Sequence, residues 1–121
     1  MGEAFCTAVK QSWPCKAIDV LRQIAPDNVP YPVAVGVACA GHGIGRSQAL
    51  HGWLHASVSN LVSAAIRLVP LGQNQGQRLL AGIEPAIRTA RDHAADLPLS
   101  RLTTNCLMAD ICSMQHETQH T

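Results

Sequence analysis

Apolar residues recur three and four positions apart along most of this chain, and proline and glycine punctuate the runs. Phe5, Val9 and Trp13 fall four apart, which stacks them on one face of a predicted helix over residues 2–13. Pro14 closes it, because proline lacks the N–H and disfavours helical geometry in the residue before it. Ile18, Leu21 and Ile24 predict a short second helix over residues 15–24. Pro26, Pro30 and Pro32 then impose a loop, and a third helix begins near Pro32, where a missing N–H costs nothing in the first turn. It runs through Ala34 to Ala40 and stops at Gly41, Gly43 and Gly45.

The strongest periodicity follows. Ser47 is placed as an N-cap, and Leu50, Trp53, Leu54, Leu61, Val62, Ala65, Leu68 and Val69 keep helical spacing. Ser57, Ser63 and Ala64 fill other sides with small groups, as in a central helix that neighbours approach closely. Pro70-Leu71-Gly72 breaks it. A fifth helix is predicted over residues 74–95, with Leu79, Leu80, Ile83, Ile87, Ala90 and Ala94 facing inward. Glu84 and Arg88 form an i,i+4 pair outside, and Pro85 introduces a kink. Pro98 separates a last helix over residues 104–120. No strand alternation and no internal repeat intervene, so the pattern predicts an all-α bundle of about five to six helices.

Composition narrows the partners more than the fold. At 121 residues the chain is one domain or part of one, and 47% hydrophobic content excludes a disordered tail. Aromatic residues are only 3%, so the core must come from Leu, Ile, Val and Ala. Charged residues are 14%, against roughly 25% in ordinary soluble domains, which leaves an unexpectedly bare surface. A formal net charge of +1 gives no electrostatic reason to expect nucleic acid or an anionic membrane as partner. The N-terminus carries Glu3 and Lys10 and has no signal-peptide core. The longest apolar stretch, 54–69, is broken by His55, Asn60 and Arg67 and reads as a buried helix, not a bilayer span. Cys6, Cys15, Cys39, Cys106 and Cys112 lack CxxC spacing, so reduced thiols in a cytoplasmic protein are expected.

Several motifs carry possible chemistry, each with a plainer reading. His116-Glu117-Thr118-Gln119-His120 matches H-E-x-x-H, in which two histidines one turn apart bind zinc and the glutamate acts as general base. A catalytic zinc needs a third ligand, and the sequence given has no residue beyond Thr121 to supply a downstream one. Gly41-His42-Gly43-Ile44-Gly45 follows a helix and lacks a phosphate-loop lysine, so it reads as a helix–helix connection. His51 and His55 lie i,i+4 and could clip a metal; the plainer expectation is one solvated ring and one hydrogen-bonded within the bundle. Cys106 and Cys112 fall on oblique faces, unsuited to one metal. No catalytic residues, no metal ligands and no cofactor are assigned.

More specific than any of these is a set of longer stretches. Leu61-Val62-Ser63-Ala64-Ala65-Ile66-Arg67-Leu68-Val69-Pro70-Leu71-Gly72-Gln73, continuing to Gly76-Gln77-Arg78, resembles the central signature of the urease accessory protein F (UreF) family. Asp110-Ile111-Cys112-Ser113-Met114-Gln115-His116-Glu117-Thr118-Gln119 looks like its C-terminal signature, and Val29-Pro30-Tyr31-Pro32-Val33-Ala34 is similar to its proline-rich helix entry. In that family the tail reads H-E-T-Q-Y, so His120 stands where a tyrosine is usual, and the zinc motif rests on one substitution.

The resemblance implies an all-α, UreF-like fold of which residues 1–121 are the C-terminal part of a single helical domain, truncated at both ends. Residues 1–5 resemble a mid-chain segment of the family, and its closing R-L-F-R-S is absent. The implied role is non-catalytic: a cytoplasmic adaptor that works with the D/H-type accessory protein and the nickel-carrying GTPase of the G type to deliver nickel to apo-urease. A second copy of the chain is a further candidate partner. Arg67, Pro70, Gly72, Gln73, Gly76, Gln77 and Arg78 at one turn are the expected partner-binding residues, with Met114, His116, Glu117, Thr118 and Gln119 at the end. The arginines suit bidentate pairing with partner carboxylates; solvated surface or capping of helix ends is the alternative. A small zinc hydrolase using His116, Glu117 and His120 and a generic helical interaction module are the competing functions. Apolar faces on several sides further predict that the chain folds poorly by itself.

Overall fold

Proline and glycine divide the chain close to where the pattern places them. The computed structural model describes residues 1–69 and 72–101, and among these five α-helices follow one another: α1 (Gly2–Ser12), α2 (Lys16–Ile24), α3 (Tyr31–Gly41), α4 (Arg46–Leu68) and α5 (Gln73–Asp96). A single 3₁₀ turn over Leu99–Arg101 follows Pro98. The chain is all-α among the described residues, and the helix predicted over 104–120 lies outside them.

Local chemistry accounts for the boundaries. The Trp13 N–H closes α1 on the Val9 carbonyl at 2.7 Å, and Pro14 stops propagation. Pro30 caps α3 in extended geometry, and Pro32 sits in its first turn, where its missing N–H has no intrahelical partner to lose. Gly43 adopts φ +74°, the left-handed turn that brings the Ile44 N–H back to the Cys39 carbonyl at 2.9 Å. The glycine cluster is thus the α3–α4 connection. Ser47 is not the cap of α4: Gly45 is, and the Gln48 amide oxygen accepts the Gly45 N–H at 3.2 Å. A glutamine three residues into the helix therefore supplies the contact expected from the serine. Helix α5 is continuous through Pro85.

Two packing units result. In the first, α3 lies against both α1 and α2, and Cys6, Val9, Ile18, Val29, Ala34 and Ala38 are buried between them. Small residues set the spacing: a Cβ on Gly2 would stand 1.8 Å from the Val29 carbonyl oxygen, so the α1 start touches backbone. Glu3 fastens the same place, its carboxylate accepting the Val29 N–H at 3.3 Å and pairing with Arg22 at 3.6 Å. In the second unit α4 and α5 form an antiparallel hairpin packed along its length. Val62, Gly76 and Ile87 are buried there, and Arg46 donates to the Ala95 carbonyl, placing a cation at the α5 C-terminus where the helix dipole favours it. Between the units, α3 contacts α4, and an aromatic relay runs through them. Phe5 meets Tyr31 edge-on at 5.4 Å, and Tyr31 meets Trp53 at 5.4 Å.

The periodicity placed more residues inside than the structure buries. Trp13 is 69% exposed, Ile24 76% and Leu61 71%, and Leu79 and Ile83 also reach solvent. These residues lie in helices, or at a helix end, where the pattern predicts them, but the covered faces are narrower than the apolar stripes. The described helices surround only part of each apolar stripe.

Candidate functional site

The α4–α5 turn comes from a helix end and a helix start. Arg67 lies in the last turn of α4, and its side chain is exposed. Gly72 caps α5, its N–H donating to the Gln75 side chain at 3.0 Å, so that amide is used inside the helix end. Gln73, Gln77 and Arg78 are exposed on the first turns of α5. No carboxylate pairs with Arg67 or Arg78 among the described residues. Beside them, Leu68, Val69 and Leu79 are 85%, 50% and 45% exposed. The turn therefore presents two guanidinium groups next to apolar surface, a combination suited to a protein partner carrying carboxylates.

Gly76 differs from its neighbours. It is buried, and a Cβ there would come within 2.2 Å of Ile66 Cδ1, so its place is the close approach of α5 to α4. Pro70, Met114, His116, Glu117, Thr118 and Gln119 lie outside the described residues, as does the H-E-x-x-H segment.

A second constellation lies further along the hairpin, toward the start of α4. His51 and His55 occupy one face of α4, a turn apart, and both face Glu84 in the middle of α5. His51 Nε2 is 3.2 Å from one Glu84 oxygen, and His55 Nδ1 is 3.6 Å from the other. The two rings stack at 6.3 Å with an interplanar angle of 18°. Arg88 approaches from the next turn of α5, its Nε 3.2 Å from the oxygen that faces His51. Partial desolvation alone would raise the Glu84 pKa; the Arg88 hydrogen bond and the charges of His51, Arg88 and His55 outweigh it and hold the carboxyl below its ordinary value. The Glu84–Arg88 pair expected from the sequence is formed, but Glu84 turns toward α4 and not simply outward. His51 is the ring held within the bundle, at 3.2 Å from the carboxylate, and His55 is the more solvated one, 46% exposed and 3.6 Å away. This is close to the expected pairing of one bonded and one solvated ring, with Glu84 as the shared partner. The pattern of α4 alone could not show this, since Glu84 belongs to the following helix.

Between α3 and α4 an apolar cleft of about 430 Å³ is lined by Val35, Ile44, Leu50 and Trp53. Cys6, Cys15 and Cys39 are free thiols, with Cys6 fully buried. Among the described residues no helix is long and apolar enough to cross a membrane.

Comparison with known proteins agrees with the signatures. The UreF family model matches residues 1–84. The urease accessory protein UreF of Rhodopseudomonas palustris strain BisB5 is 43% identical over 120 residues, covering 99% of this chain and 49% of the relative. UreF of Bradyrhizobium sp. strain ORS 278 is 43% identical over 121 residues, covering 99% and 50%; that of Azorhizobium caulinodans is 42% identical over 120 residues, covering 99% and 52%. The chain thus spans about half the length of the curated relatives it matches. No solved structure matches it significantly.

Proposed function

We propose that this chain, which belongs to the UreF family, serves as a helical adaptor in the maturation of urease. In this reading it joins the D/H-type accessory protein and the nickel-carrying GTPase of the G type, and nickel is the cargo passed to apo-urease. The work takes place in the cytoplasm and involves no covalent chemistry by this chain. The observation that carries the proposal is the similarity to urease accessory proteins over 99% of the chain. The surface of the α4–α5 turn supports it: Arg67 and Arg78 are exposed, without a carboxylate partner among the described residues, beside Leu68, Val69 and Leu79, which offers a partner charge-assisted contacts and apolar area together. Gln73 and Gln77 add adaptable amides, and Gly76 keeps α5 tight against α4, so the turn has a rigid base.

The remaining exposed apolar residues fit the same role. Ile24, Leu61 and Ile83 are surface that partner proteins would cover. The test is co-purification of the D/H-type accessory protein with the full-length protein that carries residues 1–121. Stoichiometric capture is expected, and a variant with both Arg67→Ala and Arg78→Ala should release most of the partner. Capture by the double variant equal to the parent would remove these arginines from the interface, and failure of the parent to capture it would remove the adaptor role.

A further inference from the structure

We propose that His51, His55 and Glu84 form a binding site for a divalent transition ion of borderline softness, of the zinc and nickel class. Three potential ligand atoms, one from each residue, lie within 4.8 Å of one another. Two imidazole nitrogens and a carboxylate oxygen are the donor set such ions prefer, whereas calcium and magnesium take oxygen donors. Ligand bonds of about 2.0–2.2 Å put tetrahedral ligand atoms roughly 3.4 Å apart. His51 Nε2 stands 3.2 Å from one Glu84 oxygen and His55 Nδ1 3.6 Å from the other, so each imidazole already lies near that spacing from the carboxylate. The three donor atoms, spread within 4.8 Å, have to draw together around one ion. His55, whose side chain is 46% exposed, has the freedom to do so.

The scaffold holds the three groups in place. His51 and His55 share a helix face one turn apart, and Glu84 projects from the partner helix across a packed interface. Gly76 against Ile66 and Arg46 on the Ala95 carbonyl fix the hairpin on either side of the cluster. The site is partly open: the side chains of His51 and Glu84 are 29% and 27% exposed, so a position remains for water or an incoming ligand.

Two features limit its strength. The Arg88 guanidinium shares the Glu84 oxygen nearest His51, so a bound dication would have to displace or tolerate it. Arg88 is 65% exposed and can swing into solvent. The second is His51 Nδ1, which is buried without a hydrogen-bond partner among the described residues. Metal at Nε2 requires the proton on Nδ1, where no acceptor among the described residues orients it, unlike the supported histidines of closed structural sites. The arrangement is therefore suited to an ion that exchanges and not to one that holds the fold together.

The experiment is a titration of the metal-free full-length protein that carries residues 1–121 with Zn²⁺, and separately Ni²⁺, in competition with a chromophoric chelator. One equivalent should bind, with affinity reduced at least about tenfold in Glu84→Gln and His55→Gln, and tightened severalfold in Arg88→Ala. Far-UV circular dichroism checks that each variant keeps its helices. A His116→Gln/His120→Gln variant should bind as the parent does. A readout needing no variant is modification by diethyl pyrocarbonate followed by peptide mass mapping, in which metal should protect His51 and His55 and leave His93 reactive. Equal binding by parent and Glu84→Gln, loss of binding in the His116/His120 variant, or unprotected His51 and His55 would each overturn the site. The test involves no accessory protein, so its failure leaves the adaptor reading standing.

Discussion

The α1–α3 cluster and the α4–α5 hairpin are built from the same kind of helix but spend their apolar residues differently. In the cluster, three short helices converge on Ile18, Cys6 and Ala34, which are essentially inaccessible. In the hairpin two helices more than twenty residues long bury Val62 and Ile87 while Leu61, Leu68, Leu79 and Ile83 face outward. Two helices can cover only one stripe of each other, whereas a third helix closes the groove between a pair. The cluster therefore supplies most of the described core. The hairpin supplies surface, and both candidate sites lie on it.

Substitutions can break this contrast in graded steps. The largest effect is expected from Ile18→Ala, which removes a side chain 1% exposed and should cost about 2–5 kcal/mol in urea unfolding of the full-length protein. The matched change in the hairpin, Leu61→Ala, should stay within about 0.5 kcal/mol because the side chain is already in water. Equal losses at the two positions would mean that another part of the full-length protein covers Leu61. Between these extremes, Gly2→Ala drives a methyl group into the Val29 carbonyl and should cost about 1–3 kcal/mol in the same measurement.

Tyr31→Ala probes the junction of the two units. Its ring bridges Phe5 and Trp53, and such aromatic pairs contribute about 0.5–1.5 kcal/mol each beyond area burial. A modest destabilisation is expected, with a change in Trp53 fluorescence that Ile18→Ala does not reproduce below its unfolding range. The smallest stability effect should come from Arg67→Ala with Arg78→Ala, within about 0.5 kcal/mol, although this pair should lose the most partner binding. A large stability loss there would show that the arginines cap helix ends instead of facing a partner.

The division into helices was legible in the sequence because its signals are local. Pro14, Pro30, Pro32 and the Gly41–Gly45 connection act through the backbone of their own neighbourhood, and the structure ends or starts a helix beside each of them. The cap of α4 was misread by two residues. Glycine at a cap leaves no side-chain signal, and the contact comes from Gln48. Exposure of Trp13, Ile24 and Leu61 was not legible, because periodicity reports which face is apolar and not what covers it.

The sites divide along the same line. Arg67, Gly72, Gln73, Gln77 and Arg78 are contiguous within a signature, and the structure gathers them at one turn, where partner binding is the proposal. Gly76 was grouped with them, yet it faces Ile66. The His51–His55–Glu84 cluster was only half visible, as an i,i+4 histidine pair. Its carboxylate arrives from the next helix, and only the register of the hairpin, set by Gly76 against Ile66 and Val62, brings it there.

Maturation of urease is tested most directly by activation in cells that lack their own F-type accessory protein but keep urease and the other accessory proteins. Supplied with the full-length protein that carries residues 1–121, these cells should regain urease activity, and supplied with the Arg67→Ala/Arg78→Ala variant at equal abundance they should regain much less. Urease that stays inactive with abundant, folded parent protein would contradict the account.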